Sequence, residues 1–350
     1  LDSQLIDQSY GEWMEIWNEL TLEAGKRAAF DRMTGNIDEF TAPRQLDPQV
    51  VIINNRISYS TYPAATPVKP SIPGRQFYVP LPFWFCRNPA LALPLVSLQY
   101  NVIEVSLELR SLYDLYQVYD ISTDEYVSPN TYMGRHGSAA PVTFDNFSAY
   151  GGGGPNNVDL SAYLECNYIY LDTAERQTLA TMQLDYLVDR VFVVETGGLK
   201  ENKTVDLMLT NPVKELVWVL RRSDVRDYNE WTNYTRTIPD AGAPILASAK
   251  ILFNGLERLQ EKPAGYFNML QPYQYHTNTP REGIYMYSFS IFPEKPIASG
   301  AFNASLINNI QLYLTMNYDA TADPEYDIMI FSRYHNIFRV INGEGRMVFV

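Results

Sequence analysis

Residues 77–100, FYVPLPFWFCRNPALALPLVSLQY, form an almost wholly apolar run interrupted by Arg87, Asn88 and the prolines at 80, 82, 89 and 94. A run of this length belongs either in a membrane or inside a folded body. Pro80, Pro82, Pro89 and Pro94 each lack a backbone donor and clash with the preceding turn, so a spanning helix would leave broken bonds in hydrocarbon. The run therefore predicts an extended, proline-stiffened segment. Prolines are tolerated where a strand ends or crosses between sheets, and aromatics such as Trp84 fill the space between packed sheets. Pro80, Pro82, Trp84, Pro89 and Pro94 are thus expected to make a structural crossover motif with Trp84 in a sandwich core.

Composition supports that class. Twenty-six tyrosines against 5 tryptophans, with 22 prolines and 19 glycines, describe a strand-and-turn chain, and 350 residues suffice for two domains. The expected class is all-β. Forty acidic against 27 basic residues give a net charge of −13, which repels phosphate and disfavours direct nucleic acid binding. Cys86 and Cys166 are too few for a disulfide scaffold, although a single bridge between them stays open. The opening LDSQLIDQSY has no initiator Met, basic region or apolar core of a secretory signal, and leaves room for a lost N-terminal piece.

Along the chain, Trp13, Ile16, Trp17 and Leu20 recur at helical spacing and predict a short amphipathic packing helix. VVIINNRISYS (50–60) reads as a strand, and residues 61–76 read as a proline-rich loop. NVIEVSLELR (101–110) alternates strictly. Ile103, Val105, Leu107 and Leu109 would face a core, with Glu104 on the polar side. Residues 112–162 read as a long irregular surface loop ending near the flexible run Gly151–Gly154. NYIYLDTAERQTLATM (167–182) reads as strand then helix, with Asp172 and Glu175 spaced as a capping box. DYLVDRVFVVE (185–195) is the next strand and TGGLKEN (196–202) a linker, which divides the chain into 1–198 and 199–350. Beyond it come TVDLMLT, KELVWVLRR, SAKILFN, GIYMYSFSIF, NNIQLYLTMN, YDIMIFS, NIFRVIN and RMVFV, with hairpin turns at Asn254-Gly255 and Asn342-Gly343.

An offset of 207 sets NVIEVSLELR on NNIQLYLTMN, so that Ile103, Val105, Leu107 and Leu109 coincide with Ile310, Leu312, Leu314 and Met316. FYVPLPFWF and GIYMYSFSIF are both followed by proline-bearing crossovers. Two copies of one strand, crossover, strand module predict two similar β domains in tandem.

Motifs for chemistry are sparse. His136, His276 and His335 are scattered, no His or Cys pair has metal-ligand spacing, and GGGGP (151–155) lacks the Lys and hydroxyl of a phosphate loop. No catalytic residue, metal or cofactor is assigned, and a non-enzyme is expected. Sequons stand at Asn146, Asn202, Asn233 and Asn303. Asn146, in the long loop, is the best glycan candidate, and Asn303 reads as a turn before a helical start at Ser305.

RQFYVPLPFWFCRNPALALPLVSLQY, NYIYLDTAERQTLA, NPVKELVWVLRR, KILFNGLERLQEKPAGYFNMLQPYQYHT and GIYMYSFSIFPEKPIASGAFNASLINNIQLYLT closely resemble the major capsid proteins of large icosahedral DNA viruses of eukaryotes, such as algal viruses and iridoviruses. The resemblance runs over nearly the whole chain. It implies a double jelly roll of two eight-stranded sandwiches with short helices, and a homotrimeric capsomer of pseudo-hexagonal outline. It also implies contacts with neighbouring capsomers and minor capsid proteins, and an icosahedral virion shell over an internal membrane, assembled in the host cytoplasm. Family members begin with further strands before the segment resembling LDSQLIDQSYGEW, so the first jelly roll is expected to lack its leading strands. Long insertions form the outer tower of such capsomers, which would place Tyr126, Tyr132 and Tyr150 between packed loops. The alternatives are a minor capsid or vertex protein of the same fold and a jelly-roll glycan-binding protein.

Overall fold

The computed structural model describes residues 4–37, 75–120, 122–136, 161–238 and 242–349, and the backbone of two short strands within 51–58. Those two, β1 (Val51–Ile53) and β2 (Arg56–Ser58), form a hairpin, so the single strand expected at 50–60 is folded back on itself. A second small hairpin joins β3 (Val118–Asp120) to β4 (Glu125–Val127). The remaining strands are β5 (Leu184–Leu199), β6 (Lys203–Asp206), β7 (Pro212–Arg222), β8 (Leu246–Phe253) and β9 (Leu256–Pro263). They are followed by β10 (Ile284–Ser288), β11 (Phe302–Asn303), β12 (Ile310–Met316), β13 (Tyr326–Ile341) and β14 (Glu344–Met347).

These later strands make two antiparallel sheets. The larger runs β10-β7-β13-β14, with β11 also on β7 and β5 along β13; the smaller runs β6-β12-β8-β9. Alternation decides what lies between them. Ile310, Leu312, Leu314 and Met316 of β12 are buried while Gln311, Tyr313 and Thr315 are half-exposed, as expected for a strand with one face on a core. Facing them are Leu216, Trp218 and Leu220 of β7, Ile328 and Ile330 of β13, and Tyr285 of β10, with Phe267 edge-on to Trp218. Asn254 and Gly255 turn β8 into β9 at φ of 51° and 80°, and Asn342 and Gly343 turn β13 into β14 at 54° and 86°. Both pairs have the left-handed backbone that an Asn-Gly hairpin turn requires.

β7 is buried on both faces from Val213 to Arg221, because a helix covers the outer side of its sheet. This helix, α1 (Gly11–Thr21), lays Trp13, Ile16, Trp17 and Leu20 over Val217, Val219, Ile284, Met286, Met329 and Phe331. The expected face and the observed face coincide.

Residues 77–100 do not form the sandwich crossover expected of them. They run extended to Phe83, make one helical turn at Trp84–Arg87 and a 3-10 turn at Pro89–Leu91, and lie on the end of the larger sheet. Trp84 and Leu98 are buried there against Val188, Phe338, Val340 and Met347, but Phe77, Tyr78, Val79, Leu95 and Tyr100 are exposed. Missing donors at four prolines rule out a continuous ladder, so the segment breaks into turns and buries only what its turns point inward.

NVIEVSLELR is no strand either. Val105, Leu107 and Leu109 are 45%, 69% and 58% exposed, and none of the described strands pairs with this segment. Alternation marks competence to pair, and without a neighbour the backbone has no ladder to join. The tandem repeat is consequently not visible as matching strands among the described residues.

Three further expectations change. TGGLKEN is not a linker, because Thr196 to Leu199 continue β5 against β13 and β6 begins at Lys203. YDIMIFS and NIFRVIN are one unbroken strand, β13. The irregular backbone expected over 112–162 is replaced at 112–136 by a 3-10 turn, the β3–β4 hairpin and a helix at Pro129–His136. That stretch docks on residues 227–231. Asn229 Nδ2 donates to the carbonyls of Tyr113 and Tyr116 at 2.7 Å, Trp231 Nε1 donates to Asp114 O at 2.8 Å, and Ser128 N donates to Asp227 O at 2.7 Å. Asn146, Tyr150 and Gly151–Gly154 lie outside the described residues, as does most of the proline-rich loop. Asp172 and Glu175 form the reciprocal capping box at the head of the Thr173–Thr181 helix; the strand expected just before it is exposed coil.

Candidate functional site: a buried ionic junction under the first helix

β7 and β13 are apolar strands with charges set into them, VKELVWVL and IFSRYHNIF, and pairing brings those charges together. Arg333 lies opposite Glu215 in the ladder, and Asp189 of β5 faces His335 from the other side. Arg333 Nη1 donates to Glu215 Oε1 at 2.5 Å and to Pro293 O at 2.9 Å, while Nη2 donates to Asp189 Oδ2 at 3.0 Å. Lys214 Nζ donates to the same Asp189 oxygen at 2.9 Å and to Lys295 O at 3.0 Å. His276, just beyond a helix at Gln271–Tyr275, bridges Glu215 Oε2 through Nε2 at 2.9 Å and Glu294 Oε1 through Nδ1 at 3.0 Å. His335 Nδ1 lies 3.0 Å from Asp189 Oδ1. Trp17 of α1 roofs the junction: the Arg333 guanidinium sits 4.0 Å from its ring centre, and Arg87 lies 5.0 Å from it.

Electrostatics follow from burial and pairing. Burial alone would raise the carboxyl of Asp189, but His335, Arg333 and Lys214 outweigh it and hold the group well below the usual carboxylate range. Glu215 is lowered to about 2, against its burial, by Arg333 and His276. Burial and the neighbouring Arg333 pull Lys214 down despite Asp189. His276 moves the other way: burial disfavours its charge, yet Glu215 and Glu294 raise it above its ordinary value. The junction therefore holds formal charges that match in number, Asp189, Glu215 and Glu294 against Lys214, Arg333 and His276. Such an arrangement fixes three strands, a helix end and a loop in one register.

A second set of ion pairs ties α1 down along its other side. Glu15 and Glu19 bind Arg27 at 2.7 and 2.9 Å, Arg281 lies 3.7 and 3.5 Å from the same two carboxylates, and Glu12 pairs with Arg110. Asn278 closes the helix end, its backbone N–H and its Nδ2 donating to the carbonyls of Leu20 and Glu19 at 2.9 Å each.

The residues singled out in the sequence lie beside this junction or away from it. Trp84 is 1% exposed, and its backbone N–H donates to Asp7 Oδ2 at 3.1 Å. Pro82 offers its carbonyl to Arg87 Nε and Nη2 at 3.0 and 2.8 Å. Pro89 opens the 3-10 turn that Asn88 caps, Pro94 O accepts from Ser97 and Leu98 N–H groups, and Pro80 is exposed. A cavity of about 120 Å³ separates this segment from the junction, lined by Trp84, Arg87, Asn88, Leu91, Asp189, Glu294 and Pro296. Asn254 and Gly255 are on the far hairpin, where Asn254 exchanges two hydrogen bonds with Asn309. Asn303 accepts from Ser305 N–H at the start of a short 3-10 turn, and Asn233 is buried. Among the described residues no group of His, Cys, Asp and Glu is arranged to hold a metal, and no helix is long and apolar enough to cross a membrane. Two of the histidines read as scattered, His276 and His335, meet in the junction. The available signal was the charge inside otherwise apolar strands.

Known proteins share this architecture. The family model of the large eukaryotic DNA virus major capsid protein matches residues 175–345, and that of the major capsid protein N-terminus matches residues 1–172. The major capsid protein of Phaeocystis pouchetii virus is 27% identical over all of this chain and 79% of its own length, and that of Pyramimonas orientalis virus 29% identical over all of this chain and 74% of its own. A quasi-atomic structure of the PBCV-1 virus capsid superposes with a TM-score of 0.63 at 21% identity, covering 99% of this chain and 81% of that one.

Proposed function

The chain belongs to the major capsid protein family of large eukaryotic DNA viruses, and from that membership we propose that it works as a homotrimeric capsomer of pseudo-hexagonal outline. It is a structural protein of the virion shell with the double jelly-roll fold, and its role is assembly with other capsomers. The finer reading is that minor capsid proteins lie against these capsomers and an internal membrane lies beneath. Residues 112–162 would form the outward tower. The observation that best supports self-association is the exposed apolar surface. Tyr163, Leu164, Tyr168, Ile169 and Tyr170 are 54–91% exposed within residues 161–170, apolar surface that association with another chain would cover. Native mass spectrometry at micromolar concentration is expected to give trimers, and monomers or dimers alone would refute the assembly. Brief proteolysis of intact particles is expected to cut within 112–162 first, and protection there until disassembly would place the segment inside or at a seam.

A further inference from the structure

We propose that His276, clasped between Glu215 and Glu294, is a proton-operated latch that fastens the loop of residues 289–300 to the larger sheet. A neutral imidazole carries a single N–H, yet both ring nitrogens of His276 face carboxylate oxygens, at 2.9 and 3.0 Å. Only the charged ring donates to both. After deprotonation one nitrogen lone pair points at a carboxylate, and the junction loses one of the cations set against Asp189, Glu215 and Glu294, leaving Lys214 and Arg333 with Arg87 above them. The groups facing the latch are Glu215 and Lys214 on β7, Arg333 and His335 on β13, Asp189 on β5 and Glu294 with Lys295 on the loop; Arg87 lies above, and α1 contributes only the edge-on ring of Trp17, 6.0 Å away.

The loop tip depends on this junction. Pro293 O is held by Arg333, Lys295 O by Lys214, and the Glu294 carboxylate by His276 and by the backbone and hydroxyl of Thr277 at 2.7 Å each. The base of the loop has bonds of its own, Phe289 N–H to Lys214 O and Ser290 Oγ to Ser299 Oγ, so it can stay closed while the tip opens. At the tip, Ile291, Phe292 and Ile297 are 64%, 48% and 46% exposed, and the latch thus decides how firmly an apolar edge is presented. Because the neighbouring carboxylates raise the folded pKa of His276, the latch is complete below the ordinary histidine value and is lost as pH rises through the folded one.

Amide hydrogen exchange from pH 6 to 10, corrected for intrinsic rates, tests this in the full chain. Protection at 289–300 and 276–278 is expected to fall by about tenfold for each unit by which the folded pKa stands above the ordinary value, while β8 and β9 keep theirs. His276→Gln is expected to show the unlatched level at every pH. Unchanged wild-type protection at 289–300, the same pH step in His276→Gln, or simultaneous loss in β8 and β9 would each overturn the proposal. Should His276→Gln fail to fold, side-chain nitrogen NMR of the wild-type ring decides: a pKa above the ordinary value with both nitrogens protonated at neutral pH supports the latch, and one at or below it refutes it.

Discussion

Trp84 and Arg333 are both fully buried, for opposite physical reasons. Trp84 contributes apolar area against Phe338, with ring centres 5.3 Å apart, so Trp84→Ala is expected to cost about 3–5 kcal/mol in urea unfolding. Glu104 is exposed, and Glu104→Gln is expected to change stability by less than about 0.5 kcal/mol in the same assay. Arg333 contributes no apolar stabilisation comparable to that; it neutralises Glu215 and Asp189 where water cannot. Arg333→Met leaves two buried carboxylates facing Lys214 and His276, and the expected loss is about 3–5 kcal/mol, typical of breaking a buried pair from one side. Trp17 stacks on that guanidinium, so the loss should be accompanied by a change in tryptophan fluorescence as α1 loosens.

At the scale of elements, turns and helix ends follow local rules while strand pairing does not. Gly255 and Gly283 make the difference measurable. Both have positive φ, 80° and 94°, but a Cβ on Gly255 meets open space and one on Gly283 would be driven into the backbone carbonyl of Tyr234. Gly255→Ala is therefore expected to cost only the left-handed backbone penalty, about 1–2 kcal/mol. Gly283→Ala should cost clearly more and shift β10 against the 234 segment, seen as a larger drop in thermal midpoint than at 255. The alternating segment 101–110 carries the converse lesson: its pattern matches β12, yet β12 has β6 and β8 on its two edges and none of the described strands pairs with 101–110.

For the molecule as a whole, the junction sets the response to acid. Asp189, Glu215 and Glu294 all have folded pKa values below their ordinary ones, so their contribution is complete above the unfolded carboxylate range and is lost as pH falls through the folded values. Asp7 acts with the opposite sign. Burial raises it to about 6, against the Trp84 N–H and Arg87, so it favours folding most below its ordinary value and progressively less up to pH 6. Urea midpoints are expected to rise modestly from pH 7 to 5 as Asp7 takes up its proton in the folded chain, and to drop steeply below about pH 4 as the junction carboxylates protonate. An Asp7→Asn chain should gain stability at pH 7 relative to wild type; an unchanged midpoint would place Asp7 in water.

What the sequence by itself determined is what short-range chemistry controls. The apolar stripe of α1, the one-sided alternation of β12, the two Asn-Gly turns and the Asp172–Glu175 capping box each depend on residues within a few positions of one another. The likeness to capsid proteins was legible too, because long strings of residues carry it. Tertiary structure alone decided the rest. The stretch RYH (333–335) falls between the two strands read from the sequence, but Arg333 finds Glu215 and Asp189, 118 and 144 positions away, and their pairing lets β13 run through unbroken. The proline-rich run 77–100 reads as sandwich core, yet it lies on the end of a sheet, because a strand requires a partner as well as a pattern. Which charges neutralise one another, and which strands find neighbours, are settled only when distant parts of the chain meet.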